Sequence, residues 1–183
     1  MPADRGRDGQ AGWGFHRLTD RWARQLATAA GVRAGDLVLD VGAGTGALTA
    51  PLVAAGARVV AIELHAGRAD TLRSRFSGAS VTVVQANGAD LRLPRRPFRV
   101  VANPPFGITT GLIRRLLGPE SRLVSADLVV PQHVARRWTS SRAPGFQRWS
   151  RTFDARVYAR VPRAAFRPPA PVVTVVLRIE RRA

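Results

Sequence analysis

The sequence predicts a doubly wound α/β fold: a mostly parallel, seven-stranded sheet with an antiparallel strand at its C-terminal end. Three observations predict it. Short runs rich in Val, Ile and Leu alternate with helix-length segments from residue 37 to residue 138. A glycine-rich turn directly follows the first of these runs, where such sheets bind ligands. The last two runs, 152–160 and 172–179, are separated only by VPRAAFRPPAP, which leaves no room for a crossover helix and makes them antiparallel neighbours.

Taken in order, residues 1–12 are polar and Gly-rich, and the segment 1–17 reads as a flexible basic arm carrying Arg5, Arg7 and Arg17. Residues 18–183 read as a single domain. Leu18, Trp22, Leu26 and Ala29 recur at helical spacing over 18–30, and Gly31 supplies a C-cap. LVLDV (37–41) is a buried strand, and a helix comes next through Leu48 and Leu52. RVVAIEL (58–64) is the second strand and 67–76 a helix. VTVVQ (81–85) and FRVVA (98–102) are the third and fourth strands. A helix over 109–117, a fifth strand over 122–130 and a short helix over 131–138 complete the alternation. Residues 139–150 read as a mobile loop rich in Ser, Arg, Pro and Gly.

Composition narrows the partners. The chain has 29 basic against 12 acidic residues, a net charge of +17, and every basic residue is Arg. A small domain with such a field attracts polyanions, of which nucleic acid is the usual one. The absence of Cys excludes a disulfide framework, a thiolate metal site and a Cys nucleophile. The N-terminus lacks a signal-type apolar core, and no apolar run approaches the ~20 residues that cross a bilayer. The expectation is a cytoplasmic monomer with neither metal nor membrane partner.

Two motifs carry chemistry. Asp40 closes the first strand and leads into Gly42, Ala43, Gly44, Thr45 and Gly46. Glycines there let the backbone turn sharply and let a ligand approach the main chain. Glu63 closes the second strand, with Leu64 after it, where a carboxylate accepts hydrogen bonds from ribose hydroxyls. Past the third strand, Asn87 or Asp90, beside Gly88, can bond an adenine amino group; an Asx-type turn bond to the local backbone is the other role open to Asn87. Directly after the fourth strand stand Asn103, Pro104, Pro105 and Phe106. The N6 lone pair of adenine is delocalised into its ring. An acceptor pair, the Asn103 amide oxygen and the Pro104 carbonyl, bonds both amino hydrogens and draws the nitrogen towards a nucleophilic geometry. Proline fixes the direction of that carbonyl, and Phe106 can stack on a base taken out of its own stack.

With both motifs in hand, the sequence resembles the Erm family of 23S ribosomal RNA adenine N6-methyltransferases, relatives of the 16S dimethyladenosine transferases. GAGTGALT, AIEL, VANPPFGITT and VPRAAFRPPAPVVTVVL are similar to that family's blocks and keep its order. The resemblance implies a Rossmann-like, class I S-adenosylmethionine-dependent methyltransferase. It implies transfer to an adenine in the peptidyl-transferase region of 23S rRNA, and resistance to macrolides, lincosamides and streptogramin B. It places Gly42, Gly44 and Gly46 along S-adenosylmethionine, Glu63 on its ribose and Phe166 near the target base, a position where a core Phe is the other reading. Asn87 replaces the family's Asp toward the cofactor adenine. Trp13, Gly14, Phe15 and His16 replace its Gln-Asn-Phe motif, and Phe15 or His16 either covers the methionine end or packs. The family's C-terminal helical domain has no counterpart here, so RNA is expected to be gripped elsewhere.

The residues themselves supply a candidate grip. Arg136, Arg137, Arg142, Arg148 and Arg151 lie in a stretch where Trp138, Phe146 and Trp149 are interleaved. Arginine neutralises phosphates and aromatics stack on unpaired bases; a core role for Trp138 is the alternative. Two other functions fit the same residues: adenine methylation of DNA or another RNA, and non-catalytic nucleic-acid binding on the same fold.

Overall fold

The computed structural model describes residues 16–183; residues 1–15 of the expected arm, Phe15 among them, lie outside the described residues. Two short strands, β1 (Arg17–Leu18) and β8 (Phe166–Arg167), accompany the seven expected ones. Those seven are β2 (Leu37–Val41), β3 (Arg58–Glu63), β4 (Val81–Gln85), β5 (Phe98–Ala102), β6 (Leu123–Pro131), β7 (Phe153–Val161) and β9 (Thr174–Arg181). The helices are α1 (Asp20–Ala29), α2 (Thr49–Ala54), α3 (Ala66–Arg75), α4 (Thr109–Leu116), α5 (Gln132–Trp138) and a short α6 (Phe146–Trp149). Among the described residues, no helix is long and apolar enough to cross a membrane.

The main sheet runs β4-β3-β2-β5-β6-β9-β7. The first five are mutually parallel, and β9 alone opposes them, inserted between β6 and β7 and antiparallel to both. Because β2, β5 and β6 are covered on both faces, they read as mostly apolar runs broken only by Asp40, Arg99, Ser125 and Asp127, and Val38, Val100, Ala126 and Leu128 are fully buried. The chain reverses order between β2 and β5, which opens a crevice at the carboxyl ends of the strands.

The small second sheet was not visible in the sequence. β1 pairs antiparallel with β8, and the Thr19 N–H donates to the Ala165 carbonyl at 2.8 Å. His16 and Arg17, assigned by composition to the arm, are therefore held over the crevice. Phe166 is fully buried beneath this pair, in one core cluster with Leu18 and Val161. This corrects its expected place at the target base: with no exposed surface it packs and cannot touch RNA.

Residues 139–150 are likewise built rather than loose. Trp138 and Trp149 are buried, with rings 6.4 Å apart, and Phe146 meets Trp149 edge-on at 5.1 Å. The Trp149 indole N–H donates to the Pro144 carbonyl at 3.1 Å. Trp138 and Trp149 thus fasten the segment to the core, and the expected stacking role for them is corrected.

Candidate active site

A cavity of about 620 Å³ opens at the carboxyl ends of β3, β4 and β5, within the range of small-molecule sites. One wall comes from the end of β3 and the start of α3: Ile62, Glu63, Leu64, His65 and Arg68. A second is Gln85, Ala86, Asn87 and Gly88 after β4. The third is Asn103, Pro104, Pro105, Phe106 and Ile108 after β5, with His16 at the mouth and Gly42 at the base.

Glu63 is buried and already holds three donors. Its Oε2 accepts from the Gly44 N–H at 2.9 Å, and its Oε1 accepts from the His65 N–H at 2.8 Å and from Arg68 at 2.9 Å. A carboxylate offers about four lone-pair positions, so acceptor capacity remains for a ligand hydroxyl on the cavity side. Leu64 is 47% exposed yet lines the cavity, an apolar wall with Ile62, Ala86 and Ile108 suited to the face of a flat heterocycle.

The glycine-rich turn divides its labour. Gly42 has φ +74°, and a Cβ there would sit 2.7 Å from the Pro105 ring and 3.3 Å from Pro104 Cα. The acceptor loop therefore rests directly on this glycine. Ala43, Gly44 and Gly46 do not line the cavity, contrary to expectation. Gly44 acts through its bond to Glu63, and Gly46 is occupied by Phe76, which would lie 2.5 Å from an added Cβ. Asp40 is also withdrawn: it is buried below the turn, accepting from the Thr49 hydroxyl at 2.7 Å. Burial, reinforced by nearby Glu63 and opposed by the Thr49 bonds, pushes its carboxyl up to about 7. It joins β2 to the start of α2 and so props the turn.

Asn87 takes the local option. Its Oδ1 accepts from the Ala89 N–H at 3.0 Å, an Asx turn opening the short helical turn Gly88–Asp90. Gly88 is sealed from below, since a Cβ would lie 2.4 Å from Val41.

Asn103 is the best-defined polar group on the acceptor wall. Its Nδ2 donates to the His16 carbonyl at 2.7 Å. A carbonyl only accepts, so the bond fixes the amide orientation and presents Oδ1 as the free acceptor. Pro104 has no N–H, and among the described residues nothing donates to its carbonyl. Phe106 is half-buried, its backbone carbonyl accepting from the Thr109 hydroxyl, and the His16 ring lies nearly parallel to it at 24° and 5.9 Å. His16 in turn donates through Nδ1 to the Pro168 carbonyl at 3.1 Å and so ties the acceptor wall to the β8 loop.

Seven of the expected ligand-lining residues meet here: His16, Gly42, Glu63, Leu64, Asn87, Gly88 and Asn103. Pro104, Pro105 and Phe106 join them. Arg68 is the residue that sequence reasoning missed; its place five residues after Glu63 across a helix start was the available signal. The expected RNA-gripping residues are not brought to the cavity. Arg136 and Arg137 are exposed on α5, while Arg142, Arg148 and Arg151 sit at the opposite end of the sheet. That end is fixed by register: Val161 and Thr174 align with Pro131 at the cavity end, whereas Phe153 aligns with Arg181 at the other.

Comparison with known proteins agrees with this geometry. The chain is 36% identical over 146 residues to an rRNA adenine N-6-methyltransferase of Corynebacterium diphtheriae, covering 79% of this chain and 57% of that protein. It is 38% identical over 156 residues to an rRNA methyltransferase of Streptomyces thermotolerans, covering 81% and 50%. The chain thus spans about half the length of these relatives. The solved structure of the 23S rRNA methyltransferase ErmE superposes with a TM-score of 0.81 at 29% identity, over 92% of this chain and 70% of that one. A dimethyladenosine transferase from Plasmodium falciparum shares the fold, with a TM-score of 0.78 at 22% identity, over 91% of this chain and 64% of that one. The family model for ribosomal RNA adenine dimethylase matches residues 10–183, and the chain belongs to that family.

Proposed function

We propose that this chain transfers a methyl group from S-adenosylmethionine to N6 of an adenine in the peptidyl-transferase region of 23S rRNA, and that this modification confers resistance to macrolides, lincosamides and streptogramin B. The observation that carries the reading is the fixed Asn103 amide, whose Oδ1 is left as an acceptor on the wall facing Glu63 across one cavity.

The cavity suits the cofactor. Glu63 keeps acceptor capacity for ribose hydroxyls, Leu64 and Ile108 form an apolar slot for adenine, and Gly42 lets the acceptor loop pack directly onto the turn at the base of the cavity. Bound there, S-adenosylmethionine supplies an activated sulfonium methyl. The chain's own residues do the rest. Asn103 Oδ1 and the Pro104 carbonyl accept the two amino hydrogens, which localises the nitrogen lone pair and aims it. Phe106 stacks the extruded base, backed by His16. Formation of the new N–C bond would be matched by breaking of the methyl–sulfur bond, whose electron pair would stay on sulfur as a neutral thioether; the amino proton then becomes acidic, so no strong base is required and water can take it.

The test is transfer of labelled methyl to protein-free 23S rRNA, mapped by primer extension, alongside macrolide susceptibility of an expressing host. Label at adenines of the peptidyl-transferase loop with reduced susceptibility supports the reading. Measurable cofactor binding without any label on 23S rRNA would overturn the substrate, and no cofactor binding at all would favour a non-catalytic RNA-binding protein.

A further inference from the structure

The segment joining α5 to β7 forms a second, shallow concavity, lined by Ser141, Arg142, Phe146, Gln147, Arg148 and Arg151. The three arginine side chains are exposed, and none makes an ion pair among the described residues. No acid occurs between Arg136 and Phe153. The first one, Asp154, is already paired with Arg182, which also donates to the Ser150 carbonyl at 2.9 Å. The concavity is held in shape from beneath by Trp149 and Trp138, and by the Ser140 hydroxyl, which accepts the Arg142 N–H at 3.1 Å. A cationic surface fixed in advance loses less entropy on binding than a mobile loop.

We infer that this concavity is a distal anchor for the phosphate backbone of the RNA whose target base enters the cavity, an inference that rests on the proposed function. Eight steps along β7, Phe153 to Val161, separate the two ends of the sheet, or about 26 Å at ~3.3 Å per residue. An A-form RNA stem rises ~2.8 Å per base pair, so that is about nine base pairs from the flipped adenine. The ligand chemistry is polyanionic and not membranous: Trp138 and Trp149 are buried, and the half-buried Phe146 is the segment's single large apolar side chain on the concavity, too little apolar surface to enter a bilayer. The anchor contacts backbone only, so it measures the length of the adjoining stem and not its sequence.

The experiment uses two hairpins with the same adenine-bearing loop, one with a stem of ~5 and one of ~16 base pairs. Binding is read by fluorescence anisotropy across a salt series, and methyl transfer as kcat and KM. Replacing Arg142, Arg148 and Arg151 together by Ala is expected to weaken the long hairpin on the order of 10- to 100-fold and to flatten its salt slope by roughly 2–3. The short hairpin changes less than about twofold, kcat on both stays the same, and the corresponding triple Lys variant restores binding, which separates charge from folding. Equal weakening on both hairpins, or none on the long one, overturns the anchor; the latter points to an acidic protein surface instead. Should the wild type methylate neither hairpin, the proposed function falls while the salt slopes still decide the anchor.

Discussion

At one end of the sheet Glu63 gathers three donors, Asn103 is pinned by a single backbone carbonyl, and Gly42 leaves no space between turn and acceptor loop. At the other, Arg142, Arg148 and Arg151 stand exposed around an open concavity with no acid to answer them. The cavity end depends on a few buried atoms whose positions are over-determined. The arginine end depends on summed charge, in which each member is replaceable. Chemistry needs the first kind of construction, because sub-ångström placement governs transfer; backbone recognition tolerates the second. The same substitution therefore has very different consequences at the two ends.

Gly42 is where the contrast is most severe. Gly42→Val is expected to lower methyl transfer on the order of 10²–10³-fold. The added Cβ collides with Pro105 at a φ of +74°, and the strain costs about 1–3 kcal/mol of stability. A variant that keeps its transfer rate would show that the turn and the acceptor loop are not coupled. Next in size is Glu63→Gln, which keeps the shape but removes the charge facing Arg68. Calorimetric titration should show S-adenosylmethionine bound about 10-fold more weakly, with RNA affinity unchanged. The smallest effect concerns Asp40. Its raised pKa means that the folded state holds the proton more tightly than the unfolded chain, so this group's contribution to stability falls as pH rises from about 4 towards 7. Asp40→Asn should gain thermal stability relative to wild type progressively between about pH 4 and pH 7; a constant difference across that range would contradict the assignment.

Strand and helix positions were closely legible because apolar periodicity is a local signal, and the buried runs from LVLDV to RLVSADLVV carry it strongly. The acceptor loop was legible because Asn103-Pro104-Pro105-Phe106 comes directly after a strand end. What escaped reading depended on distance in the chain. The β1–β8 pairing joins residues far apart in sequence, Arg17 with Arg167, and it is what buries Phe166. The expected antiparallel pairing of the last two long strands holds, but β9 lies between β6 and β7, so β7 runs parallel to β6 and starts at the far end of the sheet, where residues 142–151 lead into it. The roles within GAGTG were blurred for a different reason: a glycine kept for packing, as Gly46 is against Phe76, has the same letter as one kept for close approach, as Gly42 is. Arginines offered least of all, since a sequence run says nothing about which end of a sheet it reaches.

Everything proposed for the cavity turns on Asn103 presenting adenine N6 to a cofactor held against Glu63. Single-turnover methyl transfer by Asn103→Ala, measured beside calorimetric titration of S-adenosylmethionine, reads that role without intermediaries. The predicted result is cofactor affinity within about threefold of wild type and a transfer rate lower by on the order of 10²–10³-fold. Transfer at the wild-type rate, with the cofactor bound equally well, would contradict it.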